Sequence, residues 1–312
     1  MTNNENTAFC GKIIKSTGGL YTVEQISGAN KGKIYECRAK GSFKHEKLNP
    51  LTGDNVVFSP IDDLTGFITE ITVRNNSLIR PAVANVDLLI MVVAVAKPDP
   101  DLFILDQLTA IARFNGIDLL MVINKADIKN ADGLASIYRN SGIDTVILSA
   151  DNGTDYEGEL EYIREKSRGK TTFFSGASGV GKTSLLNSLY PQFSQATGEI
   201  SKKISRGKHT TRVTELFKIG ENTYIGDTPG FSMVDVVGFN LLTFEGLLSS
   251  FPDIEKYAVG CKYTDCTHVC EDGCNVMSAL SEGNIEKTRH ESFVTLYKEL
   301  KNVKPWSQTR GV

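Results

Sequence analysis

Gly176-Ala177-Ser178-Gly179-Val180-Gly181-Lys182-Thr183 is the stretch on which the reading of the fold turns. It fits the phosphate-binding pattern GxxxxGK[ST], and Ser184 continues it. Its flanks are the ones such a loop needs. Thr171–Phe174 reads as a buried strand before it, and residues 182–190 read as a helix after it. The glycines let the backbone wrap until its N–H groups point at phosphate oxygens, and the helix N-terminus adds a favourable partial charge. Lys182 is then expected to reach the terminal phosphates, with the Thr183 hydroxyl on Mg²⁺.

Working outward, Asn124-Lys125-Ala126-Asp127 closes the apolar strand Ile117–Ile123. This is the NKxD pattern, in which the Asp127 carboxylate accepts from guanine N1–H and the N2 amino group. Adenine offers no such donor pair, so ATP is disfavoured. Ser149-Ala150, after the strand Thr145–Leu148, fits a further base-contacting segment, although two residues carry little information by themselves. Downstream of the phosphate loop lies Lys208-His209-Thr210-Thr211-Arg212, where Thr210 or Thr211, with Thr211 favoured, is the expected second Mg²⁺ ligand. Asp227-Thr228-Pro229-Gly230 then gives DxxG, with Asp227 at the Mg²⁺ shell and the Gly230 N–H at the γ-phosphate.

These motifs run NKxD, SA, phosphate loop, Thr, DxxG, whereas ordinary GTPases begin with the phosphate loop. A circular permutation joins the old termini and cuts elsewhere while keeping the sheet. The join falls at Ser167-Arg168-Gly169-Lys170 and the cut just after DxxG. The glutamine that orients the attacking water in Ras-like enzymes is replaced here by Phe231. His209 is the nearest candidate for that role by chain position.

The rest of the chain divides around this core. In residues 1–73 the segments Ala8–Ser16, Leu20–Ile26, Gly32–Ala39, Asn55–Pro60 and Gly66–Val73 read as short strands separated by turn signals. That suits a small barrel, an OB-fold or its SH3-like competitor, which periodicity does not separate. Residues 74–235 alternate strand and helix, the rhythm of an α/β P-loop domain with a parallel sheet. Residues 236–312 carry no strand signal, and 241–250, 275–283 and 285–302 read as helices. Four of the six cysteines fall between 261 and 274, a clustering that points to metal. Cys261, Cys266, His268, Cys270 and Cys274 give five possible ligands, and tetrahedral zinc needs four. Either His268 or Cys270 completes the set.

A net charge of −3 excludes a uniformly basic nucleic-acid binder, but local patches exist. Residues 31–47 hold six Lys/Arg against two Glu, among Tyr35, Phe43 and His45, and residues 202–212 hold five Lys/Arg and no acid. The longest apolar run, Leu88–Ala96, is too short to span a bilayer, and the first residues lack a signal-peptide pattern. A cytoplasmic protein acting away from membranes is expected.

Taken together, NKAD, GASGVGKTS, the KHTTR loop, DTPGFS and the C-x4-C-x-H-x5-C cluster resemble the bacterial ribosome-small-subunit-dependent GTPase family over nearly the whole chain. The resemblance implies an OB-fold at the N-terminus and a zinc-bearing helical C-terminus. It selects Cys261, Cys266, His268 and Cys274 as ligands of one Zn²⁺, with Cys270 an extra thiol. It also implies a Mg²⁺-dependent enzyme turning GTP into GDP, bound to the small (30S) ribosomal subunit and its rRNA late in assembly and stimulated by it. A monomer is expected. The alternatives are another permuted ribosome-assembly GTPase and an RNA-binding adaptor that needs GTP without turning it over.

Overall fold

The computed structural model describes residues 8–41, 43, 48–78, 81–149, 156–191, 214–227 and 241–303. Ala150, His209, Thr210, Thr211, Gly230 and Phe231 lie outside them.

The first five strands are β1 (Phe9–Thr17), β2 (Leu20–Gln25), β3 (Ile34–Ala39), β4 (Asn55–Pro60) and β5 (Thr65–Ile71). They close into a barrel in the order β1-β2-β3-β5-β4, with β4 returning to β1 and β3 running parallel to β5. That is the five-stranded OB arrangement, so topology decides what periodicity left open. Alternate residues point inward: Tyr35 and Cys37 from β3, Val56 and Phe58 from β4, and Ile68 from β5 meet Ile13 and Val23 in one apolar core.

A two-stranded link, β6 (Ser77–Leu78) and β7 (Val83–Ala84), leads to the main sheet. Its strands are β8 (Leu88–Ala94), β9 (Asp118–Asn124), β10 (Asp144–Ile147), β11 (Thr171–Ser175), β12 (Leu216–Gly220) and β13 (Thr223–Asp227), in the order β10-β9-β8-β11-β13-β12. All neighbours are parallel except β12, an antiparallel edge strand on β13. The strand β12 is one the sequence reading did not anticipate. Its burial alternates, and its Lys218 and Gly220 interrupt the apolar pattern.

Every residue of β8 is buried, and the pleat sends them to two cores. Leu89, Met91 and Val93 face helices α1 (Leu102–Phe114) and α2 (Asp132–Asn140). Leu88, Ile90 and Val92 face α3 (Tyr156–Ser167) and α4 (Lys182–Leu189). The start of α1 is capped by Asp101, whose carboxylate accepts from the Ile104 N–H.

The C-terminal segment contributes α5 (Pro252–Glu255), α6 (Asn275–Ser281) and α7 (Lys287–Lys301). Phe251, Ile254, Val276, Phe293 and Leu296 join the same cluster as Leu105, Leu108 and Ile111 of α1, so these helices share a core with the sheet. Arg289, fully buried, fastens the seam. Its guanidinium donates to Asp253 at 3.0 Å, to Asp106 at 2.9 Å and to the Thr109 hydroxyl at 3.0 Å, and lies over the Phe251 ring. The helix read over 241–250 is instead a run of turns. The Thr243 hydroxyl accepts from the Gly246 N–H and the Ser250 hydroxyl donates to the Gly246 carbonyl, contacts that compete with the helical ladder.

Candidate nucleotide site and metal centre

Five parallel strands end at one edge of the sheet, and the predicted motifs sit on loops that leave it. Ala94 of β8 stands opposite Asn124 of β9, and Phe174 of β11 opposite Asp227 of β13. Such an edge is where open α/β sheets bind ligands. Between β11 and α4 the phosphate loop makes a tight wrap, and Gly181 caps α4 at φ 93°. Both ends of the wrap need glycine. A Cβ on Gly176 would lie 2.4 Å from the Val92 carbonyl oxygen, and one on Gly181 2.3 Å from Asn124 Nδ2. Ala177, Ser178 and Gly179 are exposed at the crest, Lys182 is half-buried, and Thr183 and Ser184 are exposed on the first turn of α4. That exposes the first turn of α4 with its N–H groups and two hydroxyls, an arrangement that suits an anion and its counter-ion.

The NKxD segment is tied to this loop through the protein itself. Asn124 Nδ2 donates to the Val180 carbonyl at 2.9 Å, and Lys125 Nζ donates to the Gly179 carbonyl at 2.6 Å. Lys125, at φ 63°, also donates to the Lys97 carbonyl in the turn after β8. Lys97 was not singled out from sequence, because a backbone acceptor leaves no mark in side-chain type. The Ala126 N–H bonds the Leu148 carbonyl at 3.0 Å, which brings Ser149 beside the segment. Asp127 follows at the surface. The structure thus brings 124–127, 149, 176–184 and the end of β13 to one edge.

In the C-terminal segment, Cys261, Cys266, His268 and Cys274 converge, with all four ligand atoms within 4.8 Å of one another. His268 Nδ1 is 3.7 Å from Cys261 Sγ and 3.6 Å from Cys274 Sγ, and those sulfurs are 4.0 Å apart. A tetrahedral ion with metal–sulfur bonds of about 2.3 Å sets its ligand atoms about 3.7 Å apart, so the group can hold a metal ion. Burial lowers the His268 pKa and favours the neutral imidazole that ligates. Cys270 is exposed and stands outside the group.

Two supporting residues escaped the sequence reading. Glu271 accepts from the Thr267, Val269 and Cys270 N–H groups at 3.0, 3.0 and 3.1 Å, and from the Thr267 hydroxyl. Partial burial pushes its carboxyl up, but the donors from Thr267 and Cys270 hold it down to about 2. His290, next to the clamp residue Arg289, has its Nε2 2.8 Å from the His268 carbonyl oxygen.

Fold and site define a P-loop GTPase whose motifs are circularly permuted. The chain is similar over 98% of its length to the crystal structure of YloQ, described as a circularly permuted GTPase, with 31% identity, a TM-score of 0.75 and 99% of that chain covered. It is similar over 96% to YjeQ from Thermotoga maritima, with 29% identity, the same TM-score of 0.75 and 100% of that chain covered. Among curated proteins, the small ribosomal subunit biogenesis GTPase RsgA of Agathobacter rectalis is 40% identical over 303 residues, 94% of this chain and 98% of the relative. The protein of that name from Geobacillus kaustophilus is 36% identical over 301 residues, 95% of this chain and 98% of the relative. The RsgA GTPase family model matches residues 71–237, and that of the RsgA N-terminal domain residues 10–68. The chain belongs to the RsgA GTPase family and is an enzyme that hydrolyses GTP with Mg²⁺. No helix among the described residues is long and apolar enough to cross a membrane.

Proposed function

We propose that this GTPase binds the small ribosomal subunit and its rRNA in the cytoplasm, assists late maturation there, and hydrolyses GTP faster when bound. The observation that carries the reading is the pair of hydrogen bonds from Asn124 and Lys125 to the Val180 and Gly179 carbonyls. They lock a guanine reader to a phosphate cradle, in a chain whose full-length relatives bear a small-subunit biogenesis name. Asp127 reads the base beside Ser149 and Ala150. Gly176, Ala177, Ser178, Gly179, Val180 and Gly181 wrap the phosphates, with Lys182 on their oxygens, and Ser184 extends the cradle. Thr183 and Thr211 hold Mg²⁺, with Asp227 at its shell and the Gly230 N–H at the γ-phosphate. His209 orients the water that Phe231 cannot.

Zinc suits the metal centre, because three thiolates and one neutral imidazole form a closed tetrahedral set with no ligand position left for chemistry. The working parts are a barrel over 1–73, the GTPase over 74–235 and the zinc-bearing helices over 236–312, acting as a monomer. Tyr21, Arg38 and Lys40 line a groove of about 480 Å³ on the barrel, with the buried Phe43 beneath them, which supports RNA contact there. The decisive experiment measures phosphate release from GTP with and without purified small subunits. Stimulation by small and not large subunits is expected. Equal turnover in all arms would overturn the ribosomal role and leave the GTPase standing.

A further inference from the structure

The antiparallel hairpin β12–β13 sits between the two segments assigned to sensing the γ-phosphate. β12 begins a few residues after the Thr210-Thr211 loop, and β13 ends at Asp227 of DxxG. As the sheet edge, β12 pairs only with β13 among the sheet strands. Its other side is held by the barrel. Lys218 of β12 forms an ion pair with Glu24 of β2, whose side chain is only 2% exposed. Lys15 of β1 forms an isolated antiparallel bridge with Glu215, and its ammonium lies 2.7 Å from that carboxylate. The Thr52 hydroxyl donates to the Thr214 carbonyl at 3.3 Å. On the partner strand, Lys12 of β1 lies 5.4 Å above the Tyr224 ring.

We infer that the barrel sets the preference between GTP and GDP by holding this hairpin in one register, with Lys218 and Glu24 as the positioning pair. An edge strand has ladder bonds on one side only, so sliding it breaks fewer contacts than moving any inner strand. The ladder carries a one-residue irregularity between Lys218 and Gly220, where its pairing is locally disrupted. A slide by one two-residue repeat, about 6.6 Å, would pull Lys218 from Glu24 and Glu215 from Lys15 together. Glu24 would then be a buried carboxylate stripped of its ion-pair partner on β12 and left with Tyr224 and Lys12, which disfavours the shifted state. The barrel therefore selects the register seen here, and the nucleotide compatible with it binds more tightly. An RNA that pulls on the barrel acts on the switches through the same contacts.

The inference rests on the GTPase reading, and the test separates the two. Fluorescent GDP and a non-hydrolysable GTP analogue are titrated into the full-length protein, into Lys218→Met, into Lys218→Arg and into a milder Lys15→Met, Glu215→Gln double variant. Binding of both nucleotides by the unsubstituted protein tests the GTPase reading alone. Lys218→Met and the double variant are expected to change the ratio of the two affinities by at least about 5-fold, the lower end for one coupled pair of sites. Lys218→Arg is expected to keep the original ratio, and amide exchange over Leu216–Gly220 to rise in Lys218→Met. Unchanged affinities, or both falling by the same factor as a simple loss of stability would give, would overturn the inference.

Discussion

At the scale of single residues, Asn124, Lys125 and Asp127 divide their labour. The first two spend their hydrogen bonds on the Val180, Gly179 and Lys97 carbonyls, so they shape the pocket. Asp127 is exposed at the surface, and in the proposed site it reads the base. Asp127→Asn should therefore weaken GTP by about 10-fold or more, from bonds to a charged acceptor worth about 1.5–3 kcal/mol each. It should also bring in xanthosine triphosphate, whose acceptor matches the new amide. Equal GTP binding with no gain for the xanthine nucleotide would remove Asp127 from the base site. Lys182→Ala or Thr183→Ala should abolish turnover while circular dichroism and metal content stay unchanged, because the proposed site puts their side chains on phosphate and Mg²⁺. Normal turnover in either variant would place the active site elsewhere.

At the scale of elements, the metal knuckle and the Arg289 clamp are two fastenings on one helical segment. Elemental analysis should find about one zinc per chain, lost in Cys274→Ser and kept in Cys270→Ser, since Cys270 stands outside the ligand group. Glu271→Gln should loosen zinc by about 10–100-fold, the usual effect of losing an orienting partner. The reason is that its carboxylate gathers three backbone N–H groups of the knuckle. Unchanged affinity in a chelator competition would show that the loop holds its shape without it. Arg289→Met leaves Asp106 and Asp253 buried without their cation and should destabilise by about 3–5 kcal/mol in denaturant unfolding. A loss confined to the C-terminal helices would argue against the shared core; a single cooperative transition at lower denaturant is expected.

At the scale of the molecule, both appendages of the GTPase are attached to it by identifiable contacts. The barrel grips β12–β13 by ion pairs, and the helices merge with α1 into one apolar core. Nucleotide state and subunit binding should then be linked. Sedimentation with purified small subunits should show about 5–150-fold tighter binding with a non-hydrolysable GTP analogue than with GDP, and the subunit should tighten the analogue by the same factor. Equal binding in the two states would sink the switch. Neutralising Lys202, Lys203, Arg206 and Lys208 should weaken subunit binding and flatten its salt dependence, because fewer counter-ions are released. GTP affinity of the free protein should change little.

The sequence by itself determined the permuted motif order, the strand–helix rhythm of the sheet and the cysteine cluster. Each is a local pattern: glycine spacing where backbone must wrap phosphate, apolar runs where a strand is buried on both faces, thiols where a soft ion must be enclosed. Periodicity could say barrel but not which barrel, since β3 lying parallel to β5 is a pairing between distant segments. Spacing left His268 and Cys270 both open as the fourth ligand; family resemblance chose His268, and its ring lies within 3.7 Å of two sulfurs. The edge strand β12, the Lys97 carbonyl that takes the Lys125 ammonium, and the Arg289 clamp were decided only by tertiary structure. For the Lys125 and Arg289 contacts the partner is a backbone atom or lies far along the chain, and neither circumstance leaves a mark on the neighbouring residues; β12 escaped because Lys218 and Gly220 interrupt its apolar pattern.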